Sequence, residues 1–173
     1  MIYTGIGARE LPEDIRKEFI FIGRRFAERG WTLRSGGADG ADSAFEWGCG
    51  LSATPAPKEI FLPWKGFNNN SSPLYITKTN EKELFDIACN IYPGWQYAKN
   101  PVRLLHARNV QQVMGEKPGV SPLTDFVVCW TDRPESQARG TMFAVTMANK
   151  KGIPVYNFYN TEKRKEFYKA YFK

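Results

Sequence analysis

Arg34-Ser35-Gly36-Gly37-Ala38-Asp39-Gly40-Ala41-Asp42-Ser43-Ala44-Phe45-Glu46 decides the fold, because a short strand-like run, Trp31 to Arg34, ends in glycines that open into a helical pattern. Strand, glycine turn and helix in that order form the local unit of a parallel α/β sheet. Gly36, Gly37 and Gly40 have no Cβ to hold a ligand off the backbone. The free N–H groups at a helix start carry about half a unit of positive charge, so such a turn is suited to phosphate. Thr4-Gly5-Ile6-Gly7-Ala8-Arg9 repeats the arrangement after an opening strand from Met1 to Thr4. Two such turns on successive strands predict one ligand crevice beyond the carboxyl ends of the strands.

Outward from this stretch the alternation continues. Pro12 suits a first helical turn, and Ile15, Phe19, Ile22 and Phe26 recur at helical spacing until Gly30. Lys58 to Leu62 reads as a third strand, and the turn-rich segment from Pro63 to Pro73 as a mobile loop. Helices are expected over Glu81 to Cys89, Pro101 to Met114 and Gly140 to Lys151. Asp125 to Trp130 is nearly continuous apolar sequence, as a central parallel strand requires. A strand from Ile153 to Phe158 and an amphipathic helix from Glu162 to Phe172 close the pattern. The expected fold class is α/β: a three-layer Rossmann-like fold with a mostly parallel sheet, in a single domain spanning residues 1–173.

Composition narrows the function. A chain of 173 residues with 42% hydrophobic content buries one substantial core. It has no apolar run of about 18 residues and no charged segment leading into an apolar one, so no membrane partner and a cytoplasmic location are expected. Cys49, Cys89 and Cys129 are widely spaced and read as buried free thiols. A single histidine, His106, leaves no material for a histidine-rich zinc site or a conventional serine-histidine-aspartate relay, and neither metal nor cofactor is expected. The net charge of +6 favours a phosphorylated or polyanionic partner, a nucleotide or single-stranded nucleic acid, although part of the excess lies in Lys163-Arg164-Lys165, Lys169 and Lys173. A merely solubilising surface gives the same charge. The sequence leaves a homo-oligomer open.

Each candidate residue has a plain alternative. Gly5 and Gly7 form either a phosphate turn or only a tight turn. Arg9 can fork two hydrogen bonds onto a phosphate or pair with Glu10, Glu13 or Asp14. Ser35, Gly36, Gly37 and Gly40 are candidate ligand-binding positions. Asp39 and Asp42 bring negative charge to the same turn, where they either cap the helix or serve the ligand. Asp42 and Glu46 lie four apart on one helix face, so either is a candidate to grip ribose hydroxyls or act as a general base. Arg108 and Asn109 offer forked donors and an amide to phosphate or base edges, whereas His106 reads as a structural histidine. In Ser136-Gln137-Ala138-Arg139-Gly140-Thr141, the Arg139 side chain, the Gly140 amide and the Thr141 hydroxyl converge on one phosphate, or Ser136 or Thr141 caps the helix. Trp64, Phe67, Trp95 and Trp130 are candidates to stack a base, with core packing as the alternative.

The run Ser35-Gly36-Gly37-Ala38-Asp39-Gly40-Ala41-Asp42, the earlier Gly5-Ile6-Gly7-Ala8-Arg9, the segment Ala107-Arg108-Asn109 and the strand Asp125-Phe126-Val127-Val128 follow the order and approximate spacing of a known family. Over nearly its whole length the chain resembles the DprA/Smf DNA-processing family of the SLOG superfamily, a group of Rossmann-like nucleotide-binding proteins. The resemblance implies a pocket in which Arg9, the glycine turn and Arg108-Asn109 take a nucleotide or the backbone of single-stranded DNA. Glu46 stands where that family usually has histidine, and Ala138-Arg139-Gly140-Thr141 replaces its serine-glycine-rich segment. Gly140-Thr141 also resembles the LOG group of nucleoside-monophosphate phosphoribohydrolases, which place a glutamate shortly after the threonine. Here Met142, Phe143 and Ala144 follow. A nucleotide N-glycosidase or deoxyribosyltransferase-like enzyme on this chain would use Glu46, Asp42 or Asp39 to stabilise an oxocarbenium-like ribose or activate water.

Overall fold

The structure, a computed structural model, describes residues 1–134 and 140–173. Its elements run β1 (Ile2–Gly7), α1 (Glu13–Glu28), β2 (Thr32–Ser35), α2 (Ala41–Gly50), β3 (Lys58–Ile60), α3 (Glu81–Cys89), α4 (Asn100–Met114), β4 (Phe126–Trp130), α5 (Gly140–Lys150), β5 (Val155–Asn157) and α6 (Thr161–Tyr171). The five strands form one sheet in the order β3-β2-β1-β4-β5, and every pairing is parallel. The expected mostly parallel sheet is therefore wholly parallel. None of the described helices is long and apolar enough to cross a membrane.

Both faces of the sheet are covered, which is why the central strands read as unbroken apolar sequence. Side chains alternate along β4: Phe126 and Val128 enter a core with α1, α2 and α6, while Val127 and Cys129 enter a second core with α3, α4 and α5. The apolar stripe of α1, Ile15, Phe19, Ile22 and Phe26, lies wholly in the first core. Asn160 starts α6 by accepting hydrogen bonds from the Glu162 and Lys163 amides.

Three expectations change. Strand β1 continues through Gly5 to Gly7, each in register with β4, so these glycines are strand residues as well as a turn. A Cβ on Gly5 would lie 2.6 Å from Cγ of Phe45, so this position is glycine because an aromatic ring of α2 packs on it. The thiol of Cys89 is exposed, not buried; Cys49 and Cys129 are buried as expected. The loop after β3 is tied down: Asn68 Nδ2 donates to the Gly37 carbonyl, Asn70 Nδ2 donates to Glu46, and Ser72 Oγ donates to the Ile60 carbonyl.

Candidate functional site

Strands β1 and β4 are neighbours, and the chain leaves them toward opposite edges of the sheet. At such a switch point the loops diverge and open a crevice, where open parallel sheets bind ligands. Here the crevice is a cavity of about 1010 Å³. Gly7, Ala8 and Arg9 border it from β1, Thr131, Asp132 and Arg133 from β4, and the start of α5 closes a third side.

The glycine turn after β2 is filled by the protein itself. The Gly36 amide donates to Asp42 Oδ2 at 3.0 Å, and the amides of Ala38 and Gly7 also hydrogen-bond to this carboxylate. Arg108 Nη1 stands 3.8 Å from the same carboxylate oxygen and donates to the Gly36 carbonyl. A Cβ on Gly36 would overlap the Arg108 guanidinium, so this glycine accommodates an internal arginine. Gly40, with φ +81°, brings the two turns into backbone contact: its missing Cβ leaves room for the Ala8 and Arg9 carbonyls, and the Ala41 amide donates to the Ala8 carbonyl at 3.1 Å. The amides of Gly36, Ala38 and Ala41 are thus spent on the side chain of Asp42 and on the neighbouring turn.

Asp42 is 3% exposed, and its pKa is raised to about 6. Burial drives the rise; Arg108 and the three amides oppose it without cancelling it. Asp42 and Ala38 still border the cavity, as do Arg9, Arg108 and Asn109, so the two turns and the middle of α4 do meet in one place. Ser35, Gly36, Gly37, Asp39, Gly40 and Glu46 are not on its wall. Ser35 Oγ donates to the Gly5 carbonyl at 2.7 Å, Asp39 accepts from Asn68, and Glu46 is held by Asn70 at 3.0 Å and Lys58 at 3.9 Å. Of the three candidate carboxylates, Glu46, Asp42 and Asp39, only Asp42 reaches the cavity.

Gly140 and Thr141 open α5 against the cavity, and the first turn of a helix carries partial positive charge. Asn109 Nδ2 donates to the Gly140 carbonyl at 3.4 Å. Ser136 and Arg139 lie outside the described residues. On the exposed rim, Arg9 forms no ion pair among the described residues, while Arg133 pairs with Asp132 at 2.8 Å. The cavity lining therefore includes Arg9, Arg108, Arg133 and a helix N-terminus, together with Asp42 and Asp132, which pair with two of these arginines.

Three further residues of the lining are aromatic. His106 stacks on Tyr92 at 4.1 Å between ring centroids and lies 4.9 Å from Phe143, and all three border the cavity. Burial first, and the Arg108 charge second, pull His106 down to about 4, so its ring is neutral near pH 7. None of the expected base-stacking aromatics reaches this wall. Trp64 and Phe67 pack on each other, and Trp95 packs on Phe85 and under Arg103. Sequence reasoning missed Tyr92, Phe143 and the Thr131-Asp132-Arg133 segment. An arginine three residues beyond β4 mirrors Arg9 beyond β1 and was a readable signal; the two aromatics gave none.

No family model and no curated protein matches the sequence. Among solved structures, DNA processing protein A from Helicobacter pylori, described for its single-stranded DNA binding mode, aligns with a TM-score of 0.54 at 19% identity over 90% of this chain. The chain spans 63% of that protein's chain. The Chlamydomonas rheinhardtii Moco carrier protein aligns with a TM-score of 0.51 at 16% identity, covering 98% of this chain and 83% of its own. What this chain shares with both is a Rossmann-like fold built on a parallel sheet.

Proposed function

We propose that this protein binds a nucleotide-class ligand, a phosphate joined through a sugar to a heterocyclic ring, in the cavity between β1 and β4. The observation that carries the reading is the mixed lining of that cavity. Arg9, Arg108, Arg133 and the start of α5 supply cationic and N–H groups, and Tyr92, His106 and Phe143 supply aromatic rings. A phosphate at a helix N-terminus beside forked guanidinium donors is a strong anion arrangement, and planar rings pack well on aromatic walls. At about 1010 Å³ the cavity is at the upper end of small-molecule sites, which run to about 1,000 Å³. The two fold neighbours are described by what they bind or carry, single-stranded DNA and Moco, which agrees with a ligand-binding role.

A free nucleotide is favoured over single-stranded nucleic acid by where the anion-binding groups lie: Arg9, Arg108, Arg133 and the start of α5 border one cavity. A nucleic-acid strand needs a track of available positive charge. Titration calorimetry with nucleoside monophosphates is the test. Saturable binding is expected, weakened about tenfold by Arg9→Ala through loss of a charge-assisted hydrogen bond. A 12-nucleotide single strand that binds more tightly than any nucleotide, with affinity falling steeply in salt, would replace this reading with the nucleic-acid one; no binding by either overturns both.

One observation favours a second reading, nucleotide N-glycosidase activity: a carboxyl on the cavity wall has its pKa raised to about 6. Asp42 would then activate water or stabilise the ribosyl cation, and incubation with nucleoside monophosphates would release free base in wild type but not in Asp42→Asn. Intact nucleotides after prolonged incubation at saturating concentration refute it.

A further inference from the structure

The ring of His106 is closed on three sides. Tyr92 covers one face at 4.1 Å, Phe143 lies against it at 4.9 Å, and Nδ1 is buried with no hydrogen-bond partner. The residue is 9% exposed and borders the cavity, and its other ring nitrogen, Nε2, is not among the buried polar atoms that lack a partner. Nε2 meets no acceptor among the described residues.

These facts also place the proton. A neutral imidazole carries one N–H and one bare nitrogen, and the environment of each nitrogen chooses between them. A buried N–H without an acceptor is rarer and more costly than a buried acceptor without a donor. Nδ1 therefore stays bare and Nε2 carries the hydrogen, the one N–H this ring has for a ligand in the cavity. The same neutral ring is what burial and the nearby Arg108 charge produce.

We infer that His106 selects the ring of the ligand, donating one hydrogen bond from Nε2 to a carbonyl oxygen or bare ring nitrogen at the edge of a phosphorylated heterocycle. The inference rests on the nucleotide reading above and adds the specificity determinant: the ring must present an acceptor. A ring edge without an acceptor leaves the Nε2–H unpaired when the ligand displaces water, which is how a buried donor discriminates.

Because His106 is the sole histidine of the chain, two nitrogen signals in a protein labelled with ¹⁵N-histidine report on it alone. In the free protein at pH 7 the expected spectrum has a protonated Nε2 and a bare Nδ1; a protonated Nδ1 overturns the inference whether or not nucleotides bind. On saturation with inosine monophosphate, the Nε2 signal is expected to shift as its hydrogen bond forms, and an unchanged pair of signals at saturation also overturns it. In His106→Phe, which keeps the stacked ring, the ratio of affinities for inosine monophosphate over ribose 5-phosphate is expected to fall about tenfold, one hydrogen bond's worth; an unchanged ratio counts against His106. Should neither compound bind the wild type, the nucleotide reading fails with its dependent inference, whereas binding of both without ring selectivity removes only the role of His106.

Discussion

Asp42 should make this protein more stable in mild acid, against the usual direction for a carboxylate. Its carboxyl is buried at the meeting of the two glycine turns, and its pKa is raised from an ordinary 3.8 to about 6. A carboxyl that holds its proton more tightly folded than unfolded adds stability below its unfolded pKa, and that contribution disappears as pH climbs through the folded value. Two pH units at about 1.4 kcal/mol each give about 3 kcal/mol, lost between about pH 4 and pH 7. Against a typical total of about 5–15 kcal/mol this is measurable. Urea unfolding followed by the fluorescence of the five tryptophans, at intervals from pH 4 to 8, gives the curve for wild type and for Asp42→Asn. Other carboxylates titrate in both proteins, so the difference between the curves isolates Asp42. It should move about 3 kcal/mol in favour of Asp42→Asn as pH rises. A flat difference, or one favouring wild type at higher pH, would mean that Arg108 and the three amides outweigh burial, and the account of the filled turn would be wrong.

Gly36→Ala should destabilise the fold by about 3–5 kcal/mol in the same assay. The new methyl displaces the Arg108 guanidinium from the Gly36 carbonyl and from Asp42, leaving two buried charges poorly paired; a loss under about 1 kcal/mol would show that Arg108 relocates freely. Native protein should react with a thiol reagent at one site, Cys89, with Cys49 and Cys129 reacting only on unfolding. Rapid modification of two thiols in the native state would contradict the packing of α2 or β4.

Helices and strands were legible because apolar runs and glycine punctuation are local signals: α3 has the bounds its sequence predicts, and most other element ends fall within two residues. The exception, β1, ran on because its last residues are held by β4, more than a hundred positions away. The turn at Gly36 is only partly legible for a related reason. Missing side chains announce that something comes close, but not what; here it is an arginine 72 residues later in the chain. That Arg9, Asp42, Arg108 and Asn109 would converge was readable, since parallel α/β topology gathers strand exits at one edge. The aromatic wall was not, because Tyr92 and Phe143 look like any other core residues in sequence.

The pairing of β1 with β4 also governs how the chain must assemble. The Ile2 amide bonds the side chain of Asp125, 123 residues away, and the middle of the sheet closes only when such distant segments meet. During synthesis β1, β2 and β3 become available first, and until residues 126–130 emerge the unpaired flank of β1 is open to any extended chain. Folding should therefore be slow for a protein of this size, and a fragment that stops short of β4 should aggregate instead of resting as a half-molecule.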